Sequence, residues 1–222
     1  MNREELLKNA KPILFNTQMV QAILEGRKTV TRRVIKPQPE KNQFSGTHYW
    51  KCYRDMIGDN EIRFKLINSP YVPHHVGDIL YVRETWGNWS YDNQESNAVY
   101  YQYRADYPSG AKTYMYDEAH ECDLPKWHPS IHMPKEAARI FLKVTDVRVE
   151  RLQYITYSET EKEGIKGYDI EDSLEKQIDD YVRACNKFVD IWDSTIKKQD
   201  FDKYSWEANP WVWVIEFERV EV

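Results

Sequence analysis

Near its C-terminal end the chain reads Trp211-Val-Trp-Val-Ile-Glu-Phe217. Aromatic and β-branched side chains at almost every position suit an extended strand and leave neither of its faces polar. Such a strand has to be covered on both sides, so the fold must be built in layers around it. Residues 139–151 read as a second long strand. A third lies in Val76-Gly-Asp-Ile-Leu-Tyr-Val-Arg-Glu-Thr-Trp86, opened by the turn signal Gly77-Asp78. One covering layer is also legible. Leu174, Ile178, Tyr181, Val182, Cys185, Phe188, Val189, Trp192 and Ile196 follow the three-and-four spacing of a long amphipathic helix, whose apolar stripe is expected to be core.

Shorter elements fill in the rest. Residues 12–15 form a short apolar strand. Asn16 or Thr17 offers a side-chain oxygen to cap a helix carrying Met19, Val20, Ile23 and Leu24, and Gly26 suits the left-handed position just past it. The chain then turns through residues 27–29 into a strand ending near Ile35, before Pro37 and Pro39. Thr156 and Glu159 have capping-box spacing for a short helix that stops at Gly164. Residues 38–71 and 87–125 are polar and read as insertions, the second carrying a strand at 98–104. There is no internal repeat, βαβ alternation, GxGxxG or phosphate-loop motif, so the fold class is α+β and nucleotide-fold readings lose support. The expected organisation is one domain over residues 11–222, with a helical segment at 156–198 and a polar N-terminal extension at 1–10.

A formal net charge of −5 argues against coating long duplexes and leaves room for a small ligand or a local basic patch. Cys52, Cys122 and Cys185 are widely spaced and odd in number, which fits free thiols in a reducing compartment. The charged N-terminus does not read as a signal peptide, and no run has the length of a membrane span; a cytoplasmic protein without membrane contact is expected. His74 and His75 are neighbours, and His120, Cys122 and His128 form a loose group without tight ligand spacing, so neither a metal nor a cofactor is expected. The 8 Trp and 16 Tyr residues serve packing, with Trp86 and Trp89 also placed to stack on an exposed base.

The segment Glu25-Gly-Arg-Lys-Thr-Val-Thr-Arg-Arg33 concentrates Arg27, Lys28, Arg32 and Arg33 in one turn and strand of an acidic chain. It reads either as a solvated basic turn or as a site for an anionic or polar partner. Lys28 and Thr31 are an odd number of residues apart, so they converge only if Lys28 still lies in the turn. Glu84 ends the apolar stripe Leu80, Val82. There it is either a desolvated carboxyl suited to proton transfer or the partner of a nearby arginine. Met133-Pro134, after Ser130-Ile-His132, forms a cleft wall or an ordinary loop.

Taken in order, Gly26-Arg-Lys-Thr-Val-Thr-Arg-Arg33 and Val76-Gly-Asp-Ile-Leu-Tyr-Val-Arg-Glu-Thr-Trp86 resemble the ASCH (activating signal cointegrator homology) domain. So do Ile13-Leu-Phe-Asn-Thr17, Pro129-Ser-Ile-His-Met-Pro134, Val144-Thr-Asp-Val-Arg-Val-Glu150 and Asn209-Pro-Trp-Val-Trp213, which are similar to the longer members encoded by phages and prophages. The resemblance implies a PUA-like β-barrel with a cleft beside its first helix, and a nucleobase, nucleoside or RNA as ligand. In small bacterial members a Lys, a Thr three residues on and a distant Glu remove the acetyl group from N4-acetylcytidine. Carried over by motif, Lys28 is the base, Thr31 the nucleophile and Glu84 the proton donor, with Arg27, Arg32, Arg33 and Trp86 as ligand or nucleic-acid contacts. Three readings follow: an amidohydrolase, a non-catalytic reader of RNA or a modified base, and a phage accessory protein that binds a host protein. This chain is about twice the usual size of the small enzymes, so its insertions are free to alter the substrate.

Overall fold

The computed structural model describes residues 2–41, 48–50, 53–57, 72–90, 99–107, 127–165 and 174–221. Cys52, His120, Cys122 and most of the two polar insertions lie outside them. The architecture is α+β, as the strand and helix signals require. A mixed five-stranded sheet has the order β1-β6-β9-β10-β2. A three-stranded sheet of β3 (Glu40–Lys41), β4 (His48–Trp50) and β5 (Tyr53–Ile57) and a two-stranded hairpin accompany it. Among the described residues the strands form no closed barrel. No helix there is long and apolar enough to cross a membrane. The chain forms two compact units: Met1–Glu25, Ile79–Lys143 and Arg219–Val222 make the first, Gly26–Asp78 and Val144–Glu218 the second.

In the first unit, α1 (Arg3–Asn9) occupies the supposed N-terminal extension and starts with a capping box. The Asn2 side chain accepts from the Glu5 N–H at 2.9 Å, and the Glu5 carboxylate accepts from the Asn2 N–H at 3.1 Å. β1 (Lys11–Leu14) runs parallel to β6 (Ile79–Arg83), pairing Lys11 with Leu80 and Leu14 with Arg83. The start of β9 (Phe141–Arg151) lies antiparallel on the other side of β6, with Tyr81 opposite Phe141. α2 (Thr17–Leu24) is capped by Asn16, whose side chain accepts from the Met19 N–H at 2.8 Å, and Gly26 follows at φ 74°. A hairpin of β7 (Trp86–Ser90) and β8 (Val99–Tyr103) completes the unit. Leu6, Ala10, Tyr81, Trp86, Met133, Ala137, Ala138 and Phe141 pack into one core. Met133 is therefore a core side chain rather than the exposed wall of a cleft.

The second unit is organised by β10 (Trp211–Val220), whose residues 211–215 are all buried, as its sequence demands. β2 (Val30–Val34) pairs antiparallel with it, Val34 opposite Val212, Arg32 opposite Val214 and Val30 opposite Glu216. Alternation then puts Val30, Arg32, Val34, Val212, Val214 and Glu216 on one face, and Thr31, Arg33, Trp211, Trp213, Ile215 and Phe217 on the other. The first face is covered by α4 (Leu174–Ser194). Ala184, Phe188 and Trp192 of that helix pack with Val30, Leu152, Ile165, Val212 and Val214. The expected apolar stripe is thus core only over its later turns. Ile178, Tyr181 and Val182 stand 56%, 49% and 46% exposed, because among the described residues the core that receives the helix begins at Ala184. Before α4, the helix α3 (Tyr157–Lys162) opens with the capping box of Thr156 and Glu159, and Gly164 follows at φ 89°. A last short helix, α5 (Phe201–Tyr204), leads towards β10.

Candidate functional site

Lys28 and Thr31 belong to the second unit and Glu84 to the first. Lys28 lies ahead of β2, bridged to Glu163, so it is outside the strand register, as convergence with Thr31 would require. Its side chain is fully buried. Its ammonium donates to the Val30 carbonyl at 2.8 Å, the Glu163 carbonyl at 2.9 Å and the Glu163 Oε2 at 2.7 Å. Burial pulls Lys28 below the ordinary lysine range, and the Glu163 carboxylate works against that pull. The other oxygen of Glu163 accepts from Arg32 Nη1 at 3.1 Å. One carboxylate therefore joins Lys28 to Arg32, on the face of β2 that Arg32 occupies. Thr31 is buried on the opposite face, across from Ile215.

The cluster extends through further charges. Arg32 Nη2 lies 3.0 Å from Glu159 and 3.7 Å from Glu150, and Arg148 reaches Glu150 at 2.7 Å, Glu159 at 2.6 Å, Asp146 at 3.2 Å and also Glu216. The basic turn is thus neither a solvated patch nor an open anion site around Arg32; acidic side chains surround that guanidinium. Arg27 donates to the Gly164 carbonyl, and burial pulls the Arg33 guanidinium below its ordinary value. Glu159 gives the network a pH signature. Burial alone pushes its carboxyl up, but the Thr156 N–H, Arg32 and Arg148 outweigh burial and hold it below the usual carboxylate range. A carboxyl with a depressed folded-state pKa stabilises the fold above its unfolded pKa, and that contribution is lost as pH falls through the folded value. The stability difference between wild type and Glu159→Gln, read by urea unfolding, is therefore expected to be largest at pH 7 and to shrink as the pH drops below about 4.5. A difference independent of pH would contradict this assignment.

In the first unit Glu84 follows Leu80 and Val82 into the interior and is buried. The carboxyl is both desolvated and paired with an arginine. Arg139 grips it with a fork, Nε to Oε1 at 2.9 Å and Nη2 to Oε2 at 3.0 Å. Burial still pushes the Glu84 carboxyl above the ordinary range, against the downward pull of Arg139. The same guanidinium donates to Asp106 at 2.7 Å and sits over the Tyr103 ring at 3.9 Å. Tyr103 donates to the Ala137 carbonyl at 2.7 Å, and its hydroxyl is pushed up to about 12, chiefly by burial. The Glu84 N–H points at the Met133 sulfur, 3.2 Å away.

Trp86 is a core residue. Its ring lies 5.8 Å from that of Tyr101 and 4.9 Å from that of His128, so a stacking base would have to displace one of them. Two partners escaped the sequence reading, Glu163 for Lys28 and Arg139 for Glu84. Each lies far along the chain from its mate; no local spacing could reveal it, although Glu163 closes the helix marked by the capping box. Neither a family model, nor a curated protein, nor a solved structure matches the chain.

Proposed function

We propose that this chain is a phage-type ASCH protein with a PUA-like barrel that binds a nucleobase, nucleoside or RNA, and that it deacylates an N-acylated nucleoside such as N4-acetylcytidine. The observation that carries the reading is the desolvated ammonium of Lys28, held at the head of the strand that bears Thr31. In the reaction, Lys28 leaves the Glu163 carboxylate as a neutral amine, turns to the Thr31 side of β2 and takes the proton of the Thr31 hydroxyl, which attacks the acyl carbonyl. The family resemblance assigns the proton given to the departing exocyclic nitrogen to Glu84, and water then hydrolyses the threonine ester to release the carboxylate. The elevated Glu84 carboxyl suits the donor's part. Purified protein incubated with N4-acetylcytidine is expected to yield cytidine and acetate by chromatography. Lys28→Ala and Thr31→Ala are each expected to lower the rate at least about a hundredfold. Absence of turnover in the wild type, or undiminished turnover in both variants, removes the catalytic reading.

The second reading is a non-catalytic reader of RNA or a modified base. It is favoured by the engagement of Lys28 with Glu163, whose other oxygen accepts from Arg32, on the face opposite Thr31. Binding of a short single-stranded RNA that weakens steeply with salt, with no product formed, selects it.

A further inference from the structure

We propose that Glu163 is the positioning residue of Lys28: its carboxylate fixes the ammonium at the head of β2 and governs when that group gives up its proton. Three observations meet here. The Glu163 side chain is nearly as buried as that of Lys28, so their attraction is poorly screened by water. Two hydrogen bonds of the ammonium end on Glu163, one on its carboxylate and one on its backbone carbonyl. The backbone is pinned as well, since Lys28 and Glu163 form an antiparallel bridge and the Thr29 N–H donates to the Lys162 carbonyl at 2.9 Å. The lysine is thus held at both ends by the segment that closes α3.

The charged groups bearing on Lys28 are Glu163 from the end of α3 and Arg32 and Arg33 from β2. Both arginines disfavour a third positive charge, and burial disfavours any charge. Among these influences only Glu163 sustains the ammonium. Glu163 also divides its two oxygens between Lys28 and Arg32, so the direction of its carboxylate sets the position of both cations. For Lys28 to accept a proton from a hydroxyl it must first lose its own, and the adjacent carboxylate is the group that resists this loss. The functional weight of the pairing rests on the reading in which Lys28 acts at the site; the pairing itself does not.

The test follows the titration of Lys28 by carbon-13 NMR at its ε-carbon, in full-length protein labelled at lysine, with Lys28→Met supplying the assignment. Glu163→Gln keeps the shape and removes the charge. It is expected to lower the proton affinity of Lys28 by about tenfold or more, moving the titration to lower pH, while Glu163→Asp restores it towards wild type. An unmoved titration in Glu163→Gln overturns the proposal. Should Glu163→Gln not fold, Glu163→Asp supplies the second measurement: with the carboxylate drawn back by one methylene the Lys28 titration is expected to move to lower pH, by less than in a variant without the charge, and an unmoved titration is equally fatal. The two claims fail separately. A shifted Lys28 titration in a protein that leaves N4-acetylcytidine intact removes the hydrolase and keeps the pairing. Turnover whose pH–rate profile and Lys28 titration both ignore Glu163→Gln keeps the hydrolase and removes the pairing.

Discussion

Glu163→Ala is expected to lower the free energy of unfolding by about 3–5 kcal/mol, the usual cost of removing one partner from a buried ion pair. The Lys28 side chain has no solvent exposure and that of Arg32 almost none, so neither cation can turn to water when the carboxylate goes. Truncation also leaves two positive groups next to each other without the charge between them. Urea unfolding at pH 7 reads the loss. Lys28→Met should cost less, because it removes a buried charge and leaves Glu163 with Arg32. The double variant Lys28→Met/Glu163→Gln is expected to be more stable than the sum of its parts implies, the signature of direct coupling. A loss below about 1 kcal/mol in Glu163→Ala would mean that water already reaches the pair.

Trp211→Ala is the second large effect, also expected at about 3–5 kcal/mol by the same measurement. Trp211 is among the largest fully buried side chains described. Its backbone is fastened on both sides: its N–H donates to the Gln38 side chain at 2.7 Å, and its carbonyl accepts from Gln38 at 2.9 Å and from the Ile35 N–H at 3.1 Å. The guanidinium of Arg151 sits 4.4 Å from its ring, so the indole contributes through its π face as well as its area. With the backbone held in place the site has little freedom to collapse, and the cavity should persist. Trp211→Phe keeps an aromatic face and should lose markedly less. Equal losses from the two substitutions would show that the ring's size, rather than its presence, is what the site requires.

The sequence was most legible where one local rule was enough. Continuous apolarity identified β10, and side-chain oxygens at fixed offsets marked the starts of α2 and α3. Gly26 marked a turn that needs positive φ. The helical period also finds α4, but a period reports which residues share a face and not whether anything covers it, so it places Ile178, Tyr181 and Val182 in a core they do not enter. The site was legible only in part for a similar reason. Lys28, Thr31 and Glu84 are buried, as groups with more than a surface role would be, but the charges that decide their protonation come from Glu163 and Arg139. Those contacts are made by tertiary packing across separations of 135 and 55 residues, where spacing carries no information.

In the five-stranded order β2 is a terminal strand. The Thr29 carbonyl accepts from the Phe217 N–H at 2.9 Å and the Ile35 N–H donates to the Trp211 carbonyl, so within β2 the backbone groups of Thr31 and Arg33 face β10 and those of Val30, Arg32 and Val34 face outward. An outward row of this kind is a template on which a stranger's backbone can zip. Here the Lys28 ammonium occupies the Val30 acceptor. A strand trying to dock would have to evict a charged group that is itself anchored to Glu163. The lysine thereby withholds the Val30 carbonyl from any added strand, whatever ligand the protein takes.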